Sequence, residues 1–476
     1  MSTVPPLLVL FFPYFPSRSL PTPPLLTLQG PLSHLPLPTT PQPPPPMRIA
    51  YLTGTYPRAT DTFIQREVAG LRSHGVEVDT FAVRKPENRQ IVGPEQESER
   101  AQTFYILSEK GVPSDLLGLA KAHLGLLFGR PNRYLSAIAL ALKTCQPGLK
   151  GLLYQIFYFL EAGTLAKQVN RRQIAHLHNH FGNTSCSVAM LAAALGGFTY
   201  SFTLHGPAIF FEPKRWRIDE KMKRASFISC ISHYCRSQAM VFAPYQIWDR
   251  LHIIHCGVDP NQFSQVQHQG VGHRLLFVGR LAAVKGLPVL LESLVTIKQR
   301  ISNVRLTVVG DGPDRSLLEA RADELGLSEQ VDFVGYQSQA AVRDYLQKTD
   351  VFVLPSFAEG VPVVLMEALM SGVPVVATQI AGVSELVEEG VNGFLVPPSN
   401  GERLGDRIQT LLLDGALRQQ LGTQGALKVS AQFDINQESQ KLAKLLSAAT
   451  GEVEVTENKS EASTVESSPR EPVALS

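Results

Sequence analysis

The chain has 476 residues, enough for two or three domains, and its 44 lysines and arginines nearly balance its 42 aspartates and glutamates. That balance excludes a global positive field for nucleic acid, and no apolar stretch reaches the roughly 18 residues of a membrane-spanning helix. The five cysteines are an odd number without metal-ligand spacing, so they predict buried thiols in a reducing compartment. The composition therefore favours a cytoplasmic globular protein.

The two ends of the chain have compositions that do not support a packed core. Residues 1–46 hold 15 of the 34 prolines and lack the basic start and unbroken apolar core of a signal peptide. We predict a disordered extension there, either a proline-rich arm or sequence upstream of a true start at Met47. Residues 449–476 are rich in glutamate and have no aromatics, which predicts a disordered acidic tail.

Between the ends, predicted strands alternate with predicted helices, which favours an α/β fold with parallel sheets. The first half has predicted strands at 49–53, 77–83, 174–178, 200–204, 227–231 and 251–255. The second half has them at 275–278, 305–309, 331–334, 351–354, 374–377 and 393–396. A polar stretch at 261–273 predicts a linker, so we expect one Rossmann-like domain at 47–265 and another at 266–448.

Histidines stand at two strand ends of the first half. His205 follows a predicted strand and precedes a glycine, so it is either a sugar-binding residue or a structural turn residue. His176, His178 and His180 alternate along one strand and therefore share one face. That spacing is compatible with a metal, but no cysteine, aspartate or glutamate ligand is expected nearby. We therefore expect a buried histidine ladder and no metal.

Two cations follow the first strand of the second half. Arg280 and Lys285 come after the strand at 275–278, and Gly279 lets the backbone approach a ligand closely. Arginine can bind phosphate oxygens bidentately and lysine adds a point charge, so the pair fits a diphosphate. The alternative is two ordinary surface cations. No Walker-type sequence occurs, so phosphoryl transfer from ATP has no support.

Two carboxylates stand eight positions apart in the segment PSFAEGVPVVLMEALM. Glu359 is predicted in the loop after a strand, and Glu367 in the helix that Pro362 favours. That helix is apolar nearly all round, so a buried Glu367 needs a hydrogen-bond partner. A sugar or ribose diol would serve. A helix-capping Glu359 and a Glu367 paired with a buried arginine or lysine fit the spacing equally well.

Taken together, these segments resemble the retaining nucleotide-sugar glycosyltransferases of family 4, which have the GT-B fold of two doubly wound domains facing across a cleft. Four motifs occur in the family's order within 274–398. They are VGRL with a later KG, VVGDGP, the E-x7-E pair whose first glutamate is followed by GVP, and NGFLV. In the first half, YPRATDTFIQREVAGL and FTLHG are similar to the exopolysaccharide-building, colanic-acid-type subgroup.

The resemblance implies transfer of a hexose from a nucleotide diphosphate sugar to a glycan acceptor. It assigns Glu359 to the sugar hydroxyls and Glu367 to the nucleotide ribose. His205 then steadies the transferred sugar, while Arg280 and Lys285 stabilise the departing diphosphate. Because these cations already face the diphosphate and no carboxylate cluster is placed for Mg²⁺, we expect no metal cofactor. Further donor contacts are expected at Gly54, Gly279, Gly360, Val361 and Gly382.

Residues 114–172 suggest contact with a membrane. Eight lysines and arginines stand there against two acids, interleaved with leucines and aromatics, which is typical of interfacial helices. Ordinary amphipathic helices are the alternative. Because acceptors of the exopolysaccharide subgroup are usually built on a lipid carrier, the resemblance implies a lipid-linked acceptor and peripheral attachment at the cytoplasmic face.

Two other functions remain compatible with the sequence. One is a different GT-B enzyme, such as a sugar-nucleotide epimerase, which the E-x7-E motif together with VGRL and KG disfavours. The other is a catalytically silent binding subunit of a polysaccharide assembly complex. The retained Arg280, Lys285, Glu359 and Glu367 disfavour it, since a silent subunit has no chemical need for them.

Overall fold

A computed structural model describes residues 47–108 and 112–451, so the predictions for 1–46 and for nearly all of the acidic tail lie outside the described residues. In the described ranges the strands form two sheets, of seven and six strands, in which all neighbouring strands are parallel. We call the seven-stranded sheet with its helices the first domain, and the six-stranded sheet with its helices the second domain.

The first sheet has the order β3-β2-β1-β4-β5-β6-β7. Its strands are β1 Arg48–Thr55, β2 Glu77–Arg84, β3 Phe104–Tyr105, β4 His176–His180, β5 Thr199–Leu204, β6 Ile228–Cys230 and β7 Leu251–Ile253. The accompanying helices are α1 Thr62–Ser73, α2 Pro94–Gln102, α3 Val112–Gly129, α4 Pro131–Thr144, α5 Leu149–Arg171, α6 Thr184–Gly196, α7 Ala208–Phe211, α8 Pro213–Trp216, α9 Ile218–Arg224 and α10 His233–Phe242.

The second sheet has the order β10-β9-β8-β11-β12-β13. Its strands are β8 Arg274–Val278, β9 Arg305–Val309, β10 Val331–Gly335, β11 Val351–Leu354, β12 Val375–Thr378 and β13 Gly393–Val396. The helices that follow in the chain are α11 Leu287–Arg300, α12 Arg315–Glu324, α13 Gln339–Leu346, α14 Val363–Met370, α15 Val383–Leu386, α16 Gly401–Leu413, α17 Gly415–Gln432 and α18 Ile435–Thr450.

The α/β architecture of two doubly wound domains is therefore confirmed. Each of the twelve predicted strands overlaps an observed one, and the short β3 was not predicted. The strand predicted at 174–178 is observed two residues later, at His176–His180, so all three histidines of the predicted ladder lie in β4. β11 and β12 are buried throughout, as expected for parallel strands covered on both faces.

Both sheets reverse their strand order beside their first strand, β1 or β8. In doubly wound sheets, ligands bind outside the carboxyl ends of the strands at this switch point. In the first domain, the switch point lies between β1 and β4, and in the second between β8 and β11. The predicted site residues should therefore cluster at these two edges.

The last helix of the described residues, α18, returns to the first domain. Two hydrogen bonds join the crossing segments: Val258 N–H donates to the Phe433 carbonyl at 3.0 Å, and Ile435 N–H donates to the Val258 carbonyl at 3.1 Å. Beyond the crossing, Leu442 and Leu446 complete an apolar cluster with residues of β1, β2 and α1. The domain bounds 47–265 and 266–448 stay a prediction, but the first domain's core includes this carboxyl-terminal helix.

All five cysteines are free thiols, four of them buried and Cys145 half-buried. Among the helices of residues 47–108 and 112–451, none is both long and apolar enough to cross a membrane.

Candidate active site

The edge of the second sheet brings Lys285 and Glu359 together. Lys285 Nζ lies 2.5 Å from Glu359 Oε1, and the Ser356 hydroxyl donates to the same oxygen at 2.7 Å. Both charged side chains are largely buried, with 20% and 12% of their surface exposed. The first E-x7-E glutamate therefore stands beside the cation predicted for a diphosphate.

Backbone packing sets this pairing. Gly286 has φ of +64°, and a Cβ there would lie 2.0 Å from the Pro355 carbonyl oxygen. Phe357 N–H also donates to the Val284 carbonyl at 2.8 Å. The glycine of the KG sequence thus lets the loop after β8 touch the loop after β11, which places Lys285 against Glu359.

Arg280 differs from Lys285 in being exposed, and it forms no hydrogen bond or ion pair with any other described residue. It follows Gly279, whose ideal Cβ position lies 3.8 Å from Lys285 Cε. The two predicted phosphate-binding cations therefore flank one short loop, with Arg280 available to an incoming anion.

Gly360, Val361 and Gly382 lie where the second domain meets the first. A Cβ on Gly360 would lie 2.1 Å from the His205 carbonyl oxygen, and one on Gly382 would lie 2.7 Å from Val361 Cγ2. Glycine is thus the residue that allows the Glu359 loop to contact the His205 loop. Helix α14 begins at Val363, so Gly360 and Val361 lie in the loop that precedes it.

Glu367 is paired across the cleft. Its Oε1 lies 2.5 Å from Arg66 Nη2 of α1, and each side chain has only 10% of its surface exposed. Arg66 Nη2 also donates to Gln339 Oε1 at 2.9 Å. The buried arginine that the sequence left open as a partner for Glu367 is therefore Arg66, contributed by the first domain. Nη1 of Arg66 is buried without a hydrogen-bond partner in the described ranges.

His205 ends a chain of polar contacts that starts at Glu67 of α1. The Tyr51 hydroxyl donates to Glu67, and His180 Nε2 lies 3.2 Å from the same Glu67 oxygen, close but outside hydrogen-bond geometry. His180 Nδ1 lies 2.7 Å from His205 Nε2, and His205 Nδ1 lies 3.7 Å from Cys256 Sγ. Because a carboxylate favours the proton on His180 Nε2, we assign His205 Nε2–H as donor to His180 Nδ1.

Burial keeps both imidazoles uncharged. It lowers the pKa of His180 to about 3. The pKa of His205 is well below its usual value because of burial and, secondarily, the neighbouring His180. The rings of Phe63 and Phe181 pack on His205 at centroid distances of 4.7 and 4.9 Å. At neutral pH His205 is therefore a hydrogen-bonding group without positive charge.

The predicted histidine ladder is present and buried. His176 contacts Thr199 and Ser201 hydroxyls, and His178 contacts those of Ser201 and Thr203, all within 2.8 Å. The expectation that no carboxylate lies near the ladder was wrong, because α1 brings in a glutamate that is distant in sequence.

That glutamate raises the question of a metal site. Glu67, His178 and His180 offer ligand atoms within 4.8 Å of one another. However, both ring nitrogens of His178 and one of His180 are already hydrogen-bonded. Only His180 Nε2 is left as a nitrogen donor, so this set fits a hydrogen-bond network better than the geometry of a metal site.

Sequence reasoning missed Arg66 and Glu67. A signal was present, because Glu67 lies three residues after Ile64 and four before Leu71, on the apolar face of α1. A charged residue on a buried helical face needs a partner inside the protein. Gly54, in contrast, was singled out, but it lines a cavity within the first domain.

Two family models match the chain. Residues 61–262 match the model described as Glycosyltransferase Family 4, and residues 259–428 match the model described as Glycosyl transferases group 1. Together the two matches run without a gap from the start of α1 into α17 and include every predicted site residue except Gly54.

Curated relatives align over part of their length. The Erwinia amylovora protein named amylovoran biosynthesis glycosyltransferase AmsK is 32% identical over 166 residues, which are 33% of this chain and 40% of the relative. The Salmonella typhimurium protein named putative colanic acid biosynthesis glycosyltransferase WcaL is 31% identical over 207 residues, 42% of this chain and 51% of the relative. The chain thus spans about half or less of these relatives' length.

Solved structures of similar fold cover most of the chain. A sucrose-phosphate synthase from Thermosynechococcus elongatus gives a TM-score of 0.65 at 18% identity, covering 85% of this chain and 99% of that one. HepE of Anabaena, solved in complex with UDP, gives a TM-score of 0.62 at 18% identity, covering 84% of this chain and 100% of that one. These likenesses confirm the fold.

Proposed function

The chain belongs to glycosyltransferase family 4 and has the GT-B fold, and we propose that it transfers a hexose from a nucleotide diphosphate sugar to a glycan. The single observation that carries the proposal is the contact of Lys285 with Glu359 beside the His205 loop. The names of the relatives AmsK and WcaL support a role in polysaccharide biosynthesis. HepE, solved with UDP-glucose, supports a nucleotide-sugar donor.

In the proposed donor complex, Arg280 and Lys285 bind the diphosphate. Positive charge fixed at a departing diphosphate stabilises the transition state, where negative charge increases. Glu359 holds Lys285 in place before the donor arrives, which limits the reorganisation needed on binding. With the donor present, Lys285 turns to the phosphate oxygens, and Glu359 accepts hydrogen bonds from the sugar hydroxyls.

Glu367 is proposed to bind the nucleotide ribose. Arg66 contacts Oε1 of this carboxylate, so Oε2 is the oxygen we assign to a ribose hydroxyl. An ion pair with two nearly buried partners fixes the direction of the carboxylate. Because the ribose changes little during reaction, this contact contributes uniform binding energy.

The proposed reaction retains configuration at the anomeric carbon. The nucleotide leaves and the acceptor hydroxyl attacks on the same face, while the leaving phosphate oxygen accepts the acceptor's proton. No separate general base is then required. The neutral His205 accepts a hydrogen bond at Nδ1 from a hydroxyl of the transferred sugar, because its Nε2–H is donated to His180. Glu67, which lies beside His180 Nε2, is a positioning residue. We propose that no metal is needed, since cationic side chains supply the charge at the diphosphate.

The proposed acceptor is lipid-linked, and α3–α5 are proposed to contact a membrane. This surface is unusually apolar for an exposed one, with Leu117, Leu124, Phe128, Leu135, Leu142 and Leu149 between 52% and 81% exposed. Lys121, Arg133 and Lys150 are exposed among them. Arg130 and Lys143 are partly engaged, by the Gly196 carbonyl and by Glu220.

Steady-state kinetics with a set of nucleotide sugars test the donor assignments. We expect Glu367→Gln to raise the donor KM and Glu359→Gln to lower kcat, because the ribose contact is uniform and the sugar acquires charge. Lys285→Glu should reduce activity about 100-fold or more, as for loss of an oxyanion contact. Glu402→Gln, on the exposed face of α16, is the matched control. Near-normal turnover in Lys285→Glu would remove the phosphate assignment.

The same assay separates the three function classes. Nucleotide release that depends on a lipid-linked glycan supports transfer. Release or sugar isomerisation that ignores the glycan supports an epimerase, and donor binding in a thermal-shift screen without any release supports a silent subunit.

A further inference from the structure

A cavity of about 410 Å³ opens in the first domain at the carboxyl edge of its sheet. Gly54 and Thr55 line it at the end of β1, and Val83 and Arg84 line it at the end of β2. Aromatic side chains of α5 and α8 form another wall, namely Tyr154, Phe157, Tyr158 and Trp216. The volume falls within the range of small-molecule sites, which are mostly apolar with few polar groups.

Two arginines supply positive charge to this cavity. Arg84 is exposed and forms no hydrogen bond or ion pair with another described residue. Arg215 packs 4.8 Å from the Trp216 ring and pairs with Glu212, whose side chain is half-exposed, so that pair is weak. Both guanidinium groups oppose the rise in the Tyr158 pKa that burial causes, so both lie near its phenol. An unpaired arginine beside aromatic rings favours a phosphate ligand.

The acid of the cavity opposes an anion less than an ordinary carboxylate would. Glu161 is buried, and burial raises its pKa to about 7, with Arg84 acting in the opposite sense. The carboxyl group is therefore largely neutral at slightly acid pH and can donate a hydrogen bond to a phosphate or sugar oxygen.

The aromatic wall continues outward as an exposed apolar surface. Tyr154 and Phe157 line the cavity and are themselves 44% and 38% exposed. On the same helix, Leu149, Leu153 and Ile156 are 74%, 48% and 47% exposed. The cationic cavity thus lies next to an exposed apolar surface. Together they match an anionic amphiphile, whose charged group would enter the cavity and whose apolar part would cover the surface.

We propose that this cavity binds the phosphate end of a phosphorylated lipid, whose apolar chain lies along the exposed face of α5. The inference rests on the proposed function, in which this lipid carries the acceptor glycan. β1, at the cavity, and β5, which ends before His205, have only β4 between them. Two strand spacings are about 10 Å. That distance lets a sugar attached to the lipid phosphate extend toward His205.

Tryptophan emission tests the site without turnover. The chain has two tryptophans, and Trp216 lines the cavity. In a Trp248→Phe chain, we expect farnesyl diphosphate to change Trp216 emission saturably. Arg84→Gln with Arg215→Gln should weaken this binding about 10-fold or more, as loss of charged hydrogen bonds does. Arg300→Gln, an exposed arginine of α11, is the matched control and should leave the affinity unchanged.

Two further arms identify the ligand chemistry. Inorganic pyrophosphate and farnesol should each bind at least about 10-fold more weakly than farnesyl diphosphate, because each lacks one half of the amphiphile. The Trp216→Phe chain should lose the response while keeping its folding transition. Equal affinity for pyrophosphate would mean a site for free anions and would overturn the proposal. A response that persists in the double arginine variant would also overturn it.

The outcome for this site is separable from the outcome for the proposed function. Donor binding is measured on the same chain by thermal shift with nucleotide sugars. Donor binding without any response to farnesyl diphosphate would overturn the lipid site and leave the proposed function intact. A farnesyl diphosphate response without donor binding would support the site while removing the proposed transfer.

Discussion

Lowering the pH from 7.5 to 5 should destabilise the protein through its buried histidines. Burial lowers the pKa of His176 and of His180 to about 3, whereas a histidine in an unfolded chain titrates near about 6.5. Below pH 6.5 the unfolded chain therefore takes up protons that the folded chain refuses until about pH 3. Protons favour the unfolded state, so stability is full above pH 6.5 and falls as the pH drops.

The size of the effect follows from the two pKa values. Between pH 6.5 and about pH 3, each of these two imidazoles lowers the free energy of unfolding by about 1.4 kcal/mol per pH unit. Together they lower it by roughly 4 kcal/mol by pH 5. His178 and His205 act in the same direction, because burial lowers the pKa of each. Glu161 acts oppositely: its pKa of about 7 lies above the unfolded value, so its protonation returns roughly 2 kcal/mol over the same interval.

Urea unfolding at pH 7.5 and pH 5 measures the balance. Between pH 7.5 and pH 5 we expect the free energy of unfolding to fall by about 2 kcal/mol or more in the natural chain. In Glu161→Gln, where the opposing group is absent, it should fall by about 4 kcal/mol or more. His176→Asn should reduce the loss by about 2 kcal/mol. His233→Gln, on the exposed start of α10, is the control and should change nothing. A Glu161→Gln chain that keeps its stability at pH 5 would refute the reasoning.

Three further predictions concern the active site, its metal independence and the membrane surface. Glu67→Gln should lower kcat about 5-fold with the donor KM unchanged, since the Glu67 carboxylate favours the His180 tautomer that accepts the hydrogen bond from His205, and losing one hydrogen bond costs about 1 kcal/mol; a raised KM alone would contradict this role. Activity should survive EDTA, because Arg280 and Lys285 supply the charge at the diphosphate; complete loss that Mn²⁺ or Mg²⁺ restores would disprove it. The chain should float with anionic liposomes at low salt and lose binding when three exposed cations of α3–α5, namely Lys121, Arg133 and Lys150, become glutamine; no flotation at low salt would leave the acceptor without a membrane.

The second-domain edge of the site was predictable because its parts are local in sequence. Glu359, Lys285 and Gly286 each follow a strand that an apolar run predicts, and parallel strands end at the same edge of a sheet. The resemblance of these motifs to a known family then assigned their residues to one donor site. The sequence could not show that Lys285 is held by Glu359, because that contact depends on how closely the two loops pack.

Contacts between domains were beyond sequence reasoning. Arg66 and Glu367 are 301 positions apart, and their pairing depends on the relative placement of two separately folded sheets. The contact of Glu67 with His180 lies within the first domain, and it depends on the rotation of α1 about its own axis. Adjacent residues on one helix point about 100° apart. Arg66 therefore reaches the second domain while Glu67 stays in the first.

The return of α18 affects the order in which the protein is completed during synthesis. Ile64, Val68 and Leu71 of α1 leave the ribosome early, yet the leucines that cover them belong to α18. A domain normally folds as a unit while the chain emerges. Here the ribosome completes the second sheet and its helices before it adds α18, whose leucines complete the core of the first domain. The domain that begins first is therefore finished last, and a fragment expressed without α18 would expose an apolar face.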